Sequence, residues 1–227
     1  EFGPTLEEYA VNGVPVDCGE DWTREEILAA IERGNHLGAT TPEAFELFRE
    51  DIEYQVKAGF SKVVLLSDII DNLPRKLKVS PVALIPQKNR RGAIILDLSF
   101  ALKIGGYILP SVNEATKRMA PEDALDQLGS VLPRIIAAMA EAPTELGPIR
   151  MSKVDLKDGF WRMVCEKGQE WNFAYILPNH EGEEVEIVVP SALQMGWAES
   201  PPFFCAASET ARDVAESYVA EPLGSLP

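Results

Sequence analysis

Histidine and cysteine are scarce in this chain: His36 and His180, and Cys18, Cys165 and Cys205, are all that its 227 residues hold. Neither histidine stands in an HExxH or Cys/His pattern, so no histidine-based metal centre is encoded. Histidine catalysis would have to rest on two isolated side chains. Three widely spaced thiols make neither a disulfide scaffold nor a zinc knuckle, and they fit a reducing compartment. Uninterrupted apolar runs are short, 63–66 and 93–96 being typical, which excludes the stretch of about 18 residues that a membrane span needs. The N-terminus lacks the basic-then-apolar order of a secretory signal, and none is expected.

What is present suffices for a folded body. Apolar residues make up 46% of the chain and charged residues 25%, and a chain of this size buries roughly 70% of its unfolded surface. Wholesale disorder is excluded. One large domain or two small ones would fit.

The net charge of −15 argues against a polyanion binder, yet its distribution is uneven. Residues 1–60 carry −10, residues 61–120 carry +6 and residues 121–227 carry −11. The basic zone is Arg75, Lys76, Lys78, Lys88, Arg90, Arg91, Lys103, Lys117 and Arg118. It is either an ordinary solvated face or a phosphate-binding strip.

Local patterns place the elements. Thr23-Arg24-Glu25-Glu26 is a capping box before Ile27, Leu28 and Ile31, with Gly34 as the stop. Thr41-Pro42 opens a second helix whose stripe is Phe45, Phe48, Ile52 and Val56, ended by Gly59. Residues 81–85 and 93–98 read as buried strands joined by a basic loop over 86–92. A helix begins at Ala120-Pro121-Glu122-Asp123, carries Leu125, Leu128, Leu132, Ile136 and Met139 on one face, and should kink at Pro133. Residues 143–148 read as a loop. Strands are expected at 151–156, 162–165, 171–177 and 185–189, with a turn at Lys167-Gly168. Ser200-Pro201 starts a helix to about Val219.

Three segments carry a resemblance. Ser80-Pro81-Val82-Ala83-Leu84-Ile85-Pro86-Gln87-Lys88, followed by Ile95-Leu96-Asp97-Leu98-Ser99 and Val112-Asn113, resembles the fingers hairpin of retroviral and retrotransposon reverse transcriptases. Ser152-Lys153-Val154-Asp155-Leu156-Lys157-Asp158-Gly159-Phe160 resembles their first catalytic motif. Gln194-Met195-Gly196-Trp197-Ala198-Glu199-Ser200-Pro201-Pro202-Phe203-Phe204 is similar to their second. The order and spacing of the three make the match more specific than any one of them. It spans about residues 76–219, and residues 1–75 carry no likeness to that family.

The resemblance implies an α+β fold, the fingers and partial palm of a right-hand polymerase after an N-terminal helical segment. Residues 1–75 would form that segment, 76–98 the fingers hairpin, 99–163 a palm part with the first motif, 164–190 fingers strands and 191–227 a palm part with the second motif. The implied activity is RNA-directed DNA synthesis in a retroelement, with two magnesium ions holding the triphosphate and activating the primer 3′-hydroxyl. Implied partners are an RNA or DNA template-primer, a deoxynucleoside triphosphate and the other regions of a parent polyprotein, in the cytoplasm, a virus-like particle or the nucleus, with no membrane.

Residue roles follow from the resemblance. Asp155 would be the catalytic carboxylate, binding metal with the Leu156 carbonyl as hard oxygen donors; otherwise it is a turn or cap residue at a strand end. Phe160 would exclude the ribose 2′-hydroxyl, or is plain core. Gly196, with no Cβ, would let backbone approach the nucleotide, or is only a turn before the Ser200-Pro201 cap. Lys88 and Arg91 would contact the triphosphate or template, with Met195 beside the nucleotide and Arg90 on nucleic acid; Lys88 is otherwise a solvated loop charge. Asp158 reads as a helix-start or surface residue, and Cys165 and Cys205 as small buried apolar groups. Asp155, Phe160 and Gly196 should then line one concavity, faced by the hairpin that carries Lys88.

The chain departs from the family in places. The expected fingers arginine falls on Ala93. Met195 stands where retroviral enzymes have glutamine, and Ser99 where a basic residue is common. The YxDD motif, source of the other two metal carboxylates, does not occur in the chain and would be expected shortly beyond Pro227. By itself this piece is therefore expected not to polymerise. The alternatives are a domesticated or decayed reverse-transcriptase-like domain kept for binding or assembly, and an unrelated acidic scaffold.

Overall fold

The computed structural model describes residues 2–151, 153 and 155–220. Helices and small antiparallel sheets alternate, a mixed α+β architecture. The helices are α1 (Gly3–Asn12), α2 (Arg24–Arg33), α3 (Pro42–Lys57), α4 (Leu66–Ile69), α5 (Val112–Ala115), α6 (Glu122–Gly129), α7 (Val131–Glu141) and α8 (Ser200–Ala220). The strands are β1 (Ser61–Leu65), β2 (Val82–Gln87), β3 (Arg90–Leu96), β4 (Leu102–Ile104), β5 (Tyr107–Leu109), β6 (Tyr175–Ile176) and β7 (Glu186–Pro190). No helix of the described residues is long and apolar enough to cross a membrane.

The central sheet has the order β1-β7-β6, antiparallel throughout, with Val63 opposite Val188 and Ile176 opposite Ile187. Ile187, Val188 and Val189 are all fully buried, which explains their unbroken apolar run: a middle strand covered on both faces has no polar face to show. Ile187 and Val189 pack with Ile27 of α2, Leu77 and the β4–β5 pair. Val188 packs on the other face with Phe48 and Ile52 of α3 and Val82 of β2. A third core gathers Val14, Leu98, Met163, Phe173, Leu193, Trp197 and Phe203 at the start of α8.

Local chemistry sets the helix ends. Thr23 and Glu26 close the expected capping box and Gly34 ends α2; Thr41 caps α3, with Pro42 in its first turn. The buried face of α3 is Ala44, Phe48, Ile52 and Gln55. Val56 is exposed and Gln55 takes the buried place instead, its amide accepting from the Ser61 hydroxyl at 2.7 Å and donating to Asp51 at 2.6 Å.

Several expectations are corrected. The basic loop over 86–92 shrinks to Lys88-Asn89: β2 and β3 run on until Gln87 pairs with Arg90, with Asn89 left-handed at φ 58°. The helix from 121 breaks at Ser130, not at Pro133. Restarting at Val131 puts Pro133 in a first turn, where its missing N–H costs nothing. Leu132 and Ile136 are left exposed. Of the strand expected at 151–156, Ser152 and Val154 lie outside the described residues, while Met151, Lys153, Asp155 and Leu156 are exposed and in no strand. Residues 162–165 make only single bridges, Val164 to Ala192 and Cys165 to Val14. The strand expected at 171–177 begins late: residues 171–173 end a 3-10 helix, Gln169–Phe173, leaving β6 as two residues.

The basic zone is also not one strip. Lys78 is buried and donates to the Cys18 carbonyl. Arg75 and Lys76 both pair with Asp21, Lys117 pairs with Asp17 at 3.0 Å, and Arg91 with Glu50 at 3.2 Å. Ion pairing is found for none of Lys88, Arg90, Lys103 and Arg118 among the described residues.

Candidate functional site

Two adjoining cavities lie between the 155–161 segment, the 194–196 turn, the β2–β3 hairpin and α3. The first, about 630 Å³, is lined by residues 155–161, Met195, Phe204 and Ser208. The second, about 430 Å³, is lined by Asp51, Gln55, Val82, residues 91–96, Trp161, Tyr175 and residues 194–196. Trp161 and Met195 belong to both, so they form the partition.

The 155–161 wall is built by a tight turn. Asp158 is left-handed at φ 58° and its carboxylate accepts from the Tyr54 hydroxyl at 2.6 Å, while the Lys157 ammonium sits 5.0 Å over the Tyr54 ring. Helix α3 thus clasps the turn from outside. Gly159 then passes against Phe204, whose Cζ would be 2.9 Å from any Cβ there. Phe160 is half-buried, edge-on to Phe204 at 5.3 Å, and packs on the third core while lining the first cavity.

The 194–196 turn is held from below. Gly196 is left-handed at φ 95°, and a Cβ on it would stand 3.4 Å from the Leu96 carbonyl. Asn113 donates to the Gly196 carbonyl and to the Ser99 hydroxyl, both at 2.9 Å, and accepts from the Ala198 amide at 2.9 Å. Trp197 is buried, stacks on Phe203 and donates its indole N–H to Thr116 at 2.9 Å. The buried Glu199 carboxylate accepts the Met119 and Ala120 amides at 2.9 and 3.1 Å, tying the preceding loop to the start of α8.

Asp155, Leu156, Phe160 and Met195 therefore share the first cavity, and Arg91, Met195 and Gly196 the second. Gly196 does not line the cavity of Asp155 and Phe160, because its left-handed turn sets it against the Leu96 carbonyl. Lys88 and Arg90 line neither, since the hairpin carries them out to its exposed tip. Arg91 lies on the hairpin's inner side, but its guanidinium is engaged by the Leu47 carbonyl at 3.1 Å and by Glu50. Asp158 is a turn residue, held by Tyr54. Cys18, Cys165 and Cys205 are buried, and burial pushes each thiol up, that of Cys18 to about 11, so none is a nucleophile at neutral pH.

Magnesium needs near-octahedral oxygen ligation. Asp155 and the Leu156 carbonyl bring two donors, and among the described residues no three acidic, histidine or cysteine side chains gather where a metal could sit. These residues alone do not complete such a site.

Sequence reasoning passed over Trp161, Tyr175 and Asn113. Trp161 could have been found as an aromatic next to Phe160, and Asn113 from its place in the quoted hairpin segment. Tyr175 gave no signal beyond a strand residue. No protein-family model matches the chain, and no curated protein matches it.

Proposed function

We propose that the chain is the fingers and partial palm of a retroelement RNA-directed DNA polymerase, holding template-primer and a deoxynucleoside triphosphate and not polymerising alone. The observation that carries this reading is convergence. Three segments remote in sequence, chosen for their likeness to one polymerase family, line two cavities that share a wall. In this reading Phe160 faces the incoming sugar from the first cavity. Met195 and Gly196 flank the nucleotide, and Lys88 and Arg90 meet phosphates from the hairpin tip. Arg91 joins them when Glu50 releases it.

Titration of a fluorescent RNA–DNA template-primer by anisotropy tests the reading. The flanking acidic segments keep binding weak, and it falls steeply with salt as counterion release requires. Replacing Lys88, Arg90 and Arg91 together by alanine should flatten that dependence. Equal binding by the variant would remove the hairpin from the reading. The net charge of −15 favours a second reading, a binding or assembly domain without catalysis. In that case an added deoxynucleoside triphosphate leaves template-primer affinity unchanged, whereas the polymerase reading expects it to tighten.

A further inference from the structure

Helix α7 is apolar and uncovered. Between Val131 and Ala140 it holds a single charge, Arg134, and none of its residues is buried. At about 100° per residue, Leu132, Ile135, Ile136 and Met139 fall within one stripe about 100° wide. In a globular protein such a stripe faces a core. Here it faces out: the four side chains are 70%, 38%, 65% and 42% exposed. The helix is fastened from its other side, where Arg134 donates to both Glu209 carboxylate oxygens of α8 at 2.8 and 2.9 Å. A helix of 11 residues is marginal in water by itself, and packing of its apolar face is what normally holds it. Among the described residues the stripe lacks the element that would cover it.

Charge, symmetry and area together select what covers it. A lipid surface is disfavoured, because helices that lie on membranes carry Lys and Arg along their polar face, whereas the polar side of α7 has one arginine, already held by Glu209. A two-fold interface needs a surface complementary to itself. The spacing 132, 135, 136, 139 reads the same in both directions, and all four side chains are large and apolar. Turned antiparallel, two copies place Ile135 and Ile136 at the axis and set Leu132 of one copy against Met139 of the other. The stripe exposes roughly 400 Å², the scale at which a patch marks a contact site. Two stripes with their flanking alanines and Pro133 bury roughly 1,000 Å², the lower end of specific interfaces and the size of a weak, reversible dimer.

We propose that α7 is the face through which a second copy of this chain docks, closing an antiparallel two-fold dimer on Leu132, Ile135, Ile136 and Met139. The interface uses no residue of either cavity and stands apart from the polymerase reading. Each copy carries −15, but the stripe itself carries no charge. The two acidic bodies repel beyond the contact, and salt screens that repulsion without weakening the apolar contact, so the dimer tightens as salt rises.

Sedimentation equilibrium of the full chain, over about 1–200 μM and at roughly 50 and 500 mM salt, tests it. A monomer–dimer equilibrium is expected, with Kd on the order of 10 μM and about three-fold or more tighter at the higher salt. Leu132→Glu puts an acid in the first turn of α7, where the helix dipole favours it, so the helix is kept while the stripe is spoiled. Ile136→Gln keeps a good helix former. Each should weaken the dimer about ten-fold or more with the far-UV circular dichroism unchanged, and Leu132→Glu should leave template-primer binding as it was. When Leu132→Cys and Met139→Cys are mixed under mild oxidation, the disulfide joining the two variants should form ahead of either variant's disulfide with itself. A chain that stays monomeric throughout, a dimer indifferent to both stripe variants, a dimer that loosens with salt or the opposite disulfide preference would overturn the proposal. So would pelleting of a monomeric chain with phosphatidylcholine vesicles that Leu132→Glu abolishes, which would assign the stripe to lipid.

Discussion

Gly159→Ala tests how tightly the wall of the first cavity is built. Gly159 has φ −51° and ψ −52°, right-handed helical values that alanine adopts freely. On backbone grounds alone the substitution should stabilise the protein by about 0.5–1 kcal/mol. The surroundings reverse that sign. The new Cβ would meet Phe204 Cζ at 2.9 Å and Cε2 at 3.2 Å, with the Leu156 carbonyl 3.4 Å away. The Phe204 ring cannot slide freely, because it sits edge-on to Phe160 at 5.3 Å. Overpacking of this kind costs about 1–3 kcal/mol. The net expectation is a loss of about 1–2 kcal/mol, read as a fall in Tm of roughly 2–8 °C for a chain of this size. Phe204→Leu removes the clashing ring, so the double variant should lose less than the two single losses added, with coupling of about 1 kcal/mol. Thermal melts of the four proteins decide it. A Tm raised by Gly159→Ala would mean that no clash exists and would refute the packing described for this wall.

Three further outcomes are expected. Glu199→Ala strands the Met119 and Ala120 amides, and at about 1–3 kcal/mol per unmet donor it should lower denaturant stability clearly more than Glu199→Gln, whose amide oxygen can still accept. The Arg134 guanidinium holds the Glu209 carboxyl below its usual range; that contribution is present above about pH 5 and lost as pH falls below about 4, so the Tm gap between wild type and Glu209→Gln should close in acid, and a constant gap would refute it. Asp17→Asn with Asp21→Asn frees Lys117, Arg75 and Lys76, and should steepen the log–log salt dependence of hybrid binding by about 1–2, near 0.9 for each additional phosphate neutralised; an unchanged slope would show that these cations meet no phosphate.

The elements most legible in the sequence were those whose signals are local. Thr23, Glu26 and Gly34 specify both ends of α2 within a dozen residues, and the Ile187-Val188-Val189 run announces a strand buried on both faces. Where a signal depends on a distant partner, the reading failed. Residues 162–165 look like a strand because Met163, Val164 and Cys165 form a short apolar run ahead of the Lys167-Gly168 turn, but Val14 and Ala192 offer them one bridge each. The hairpin loop read too long because Pro86 and Gly92 look like turn residues; pairing along the hairpin keeps both inside strands. Pro133 drew attention away from Gly129-Ser130, the cheaper place to break a helix. The candidate site divides in the same way. Motif likeness picked out Asp155, Phe160, Met195 and Gly196, all of which line the paired cavities. Tyr175, Gln194 and Asp51 meet only because β6 pairs with β7 while α3 covers the sheet, which no spacing along the chain reveals.

The most direct test of the polymerase reading is where nucleic acid touches the chain. A template-primer carrying a photoreactive base at the first unpaired template position should be crosslinked to the protein and the adducts mapped by peptide sequencing. The account predicts adducts within residues 82–98, 155–161 and 194–204, reduced in the Lys88, Arg90 and Arg91 triple alanine variant. Adducts confined to other surfaces, such as the exposed Leu132 and Ile136 side of α7, or a pattern unchanged in that variant, would contradict it.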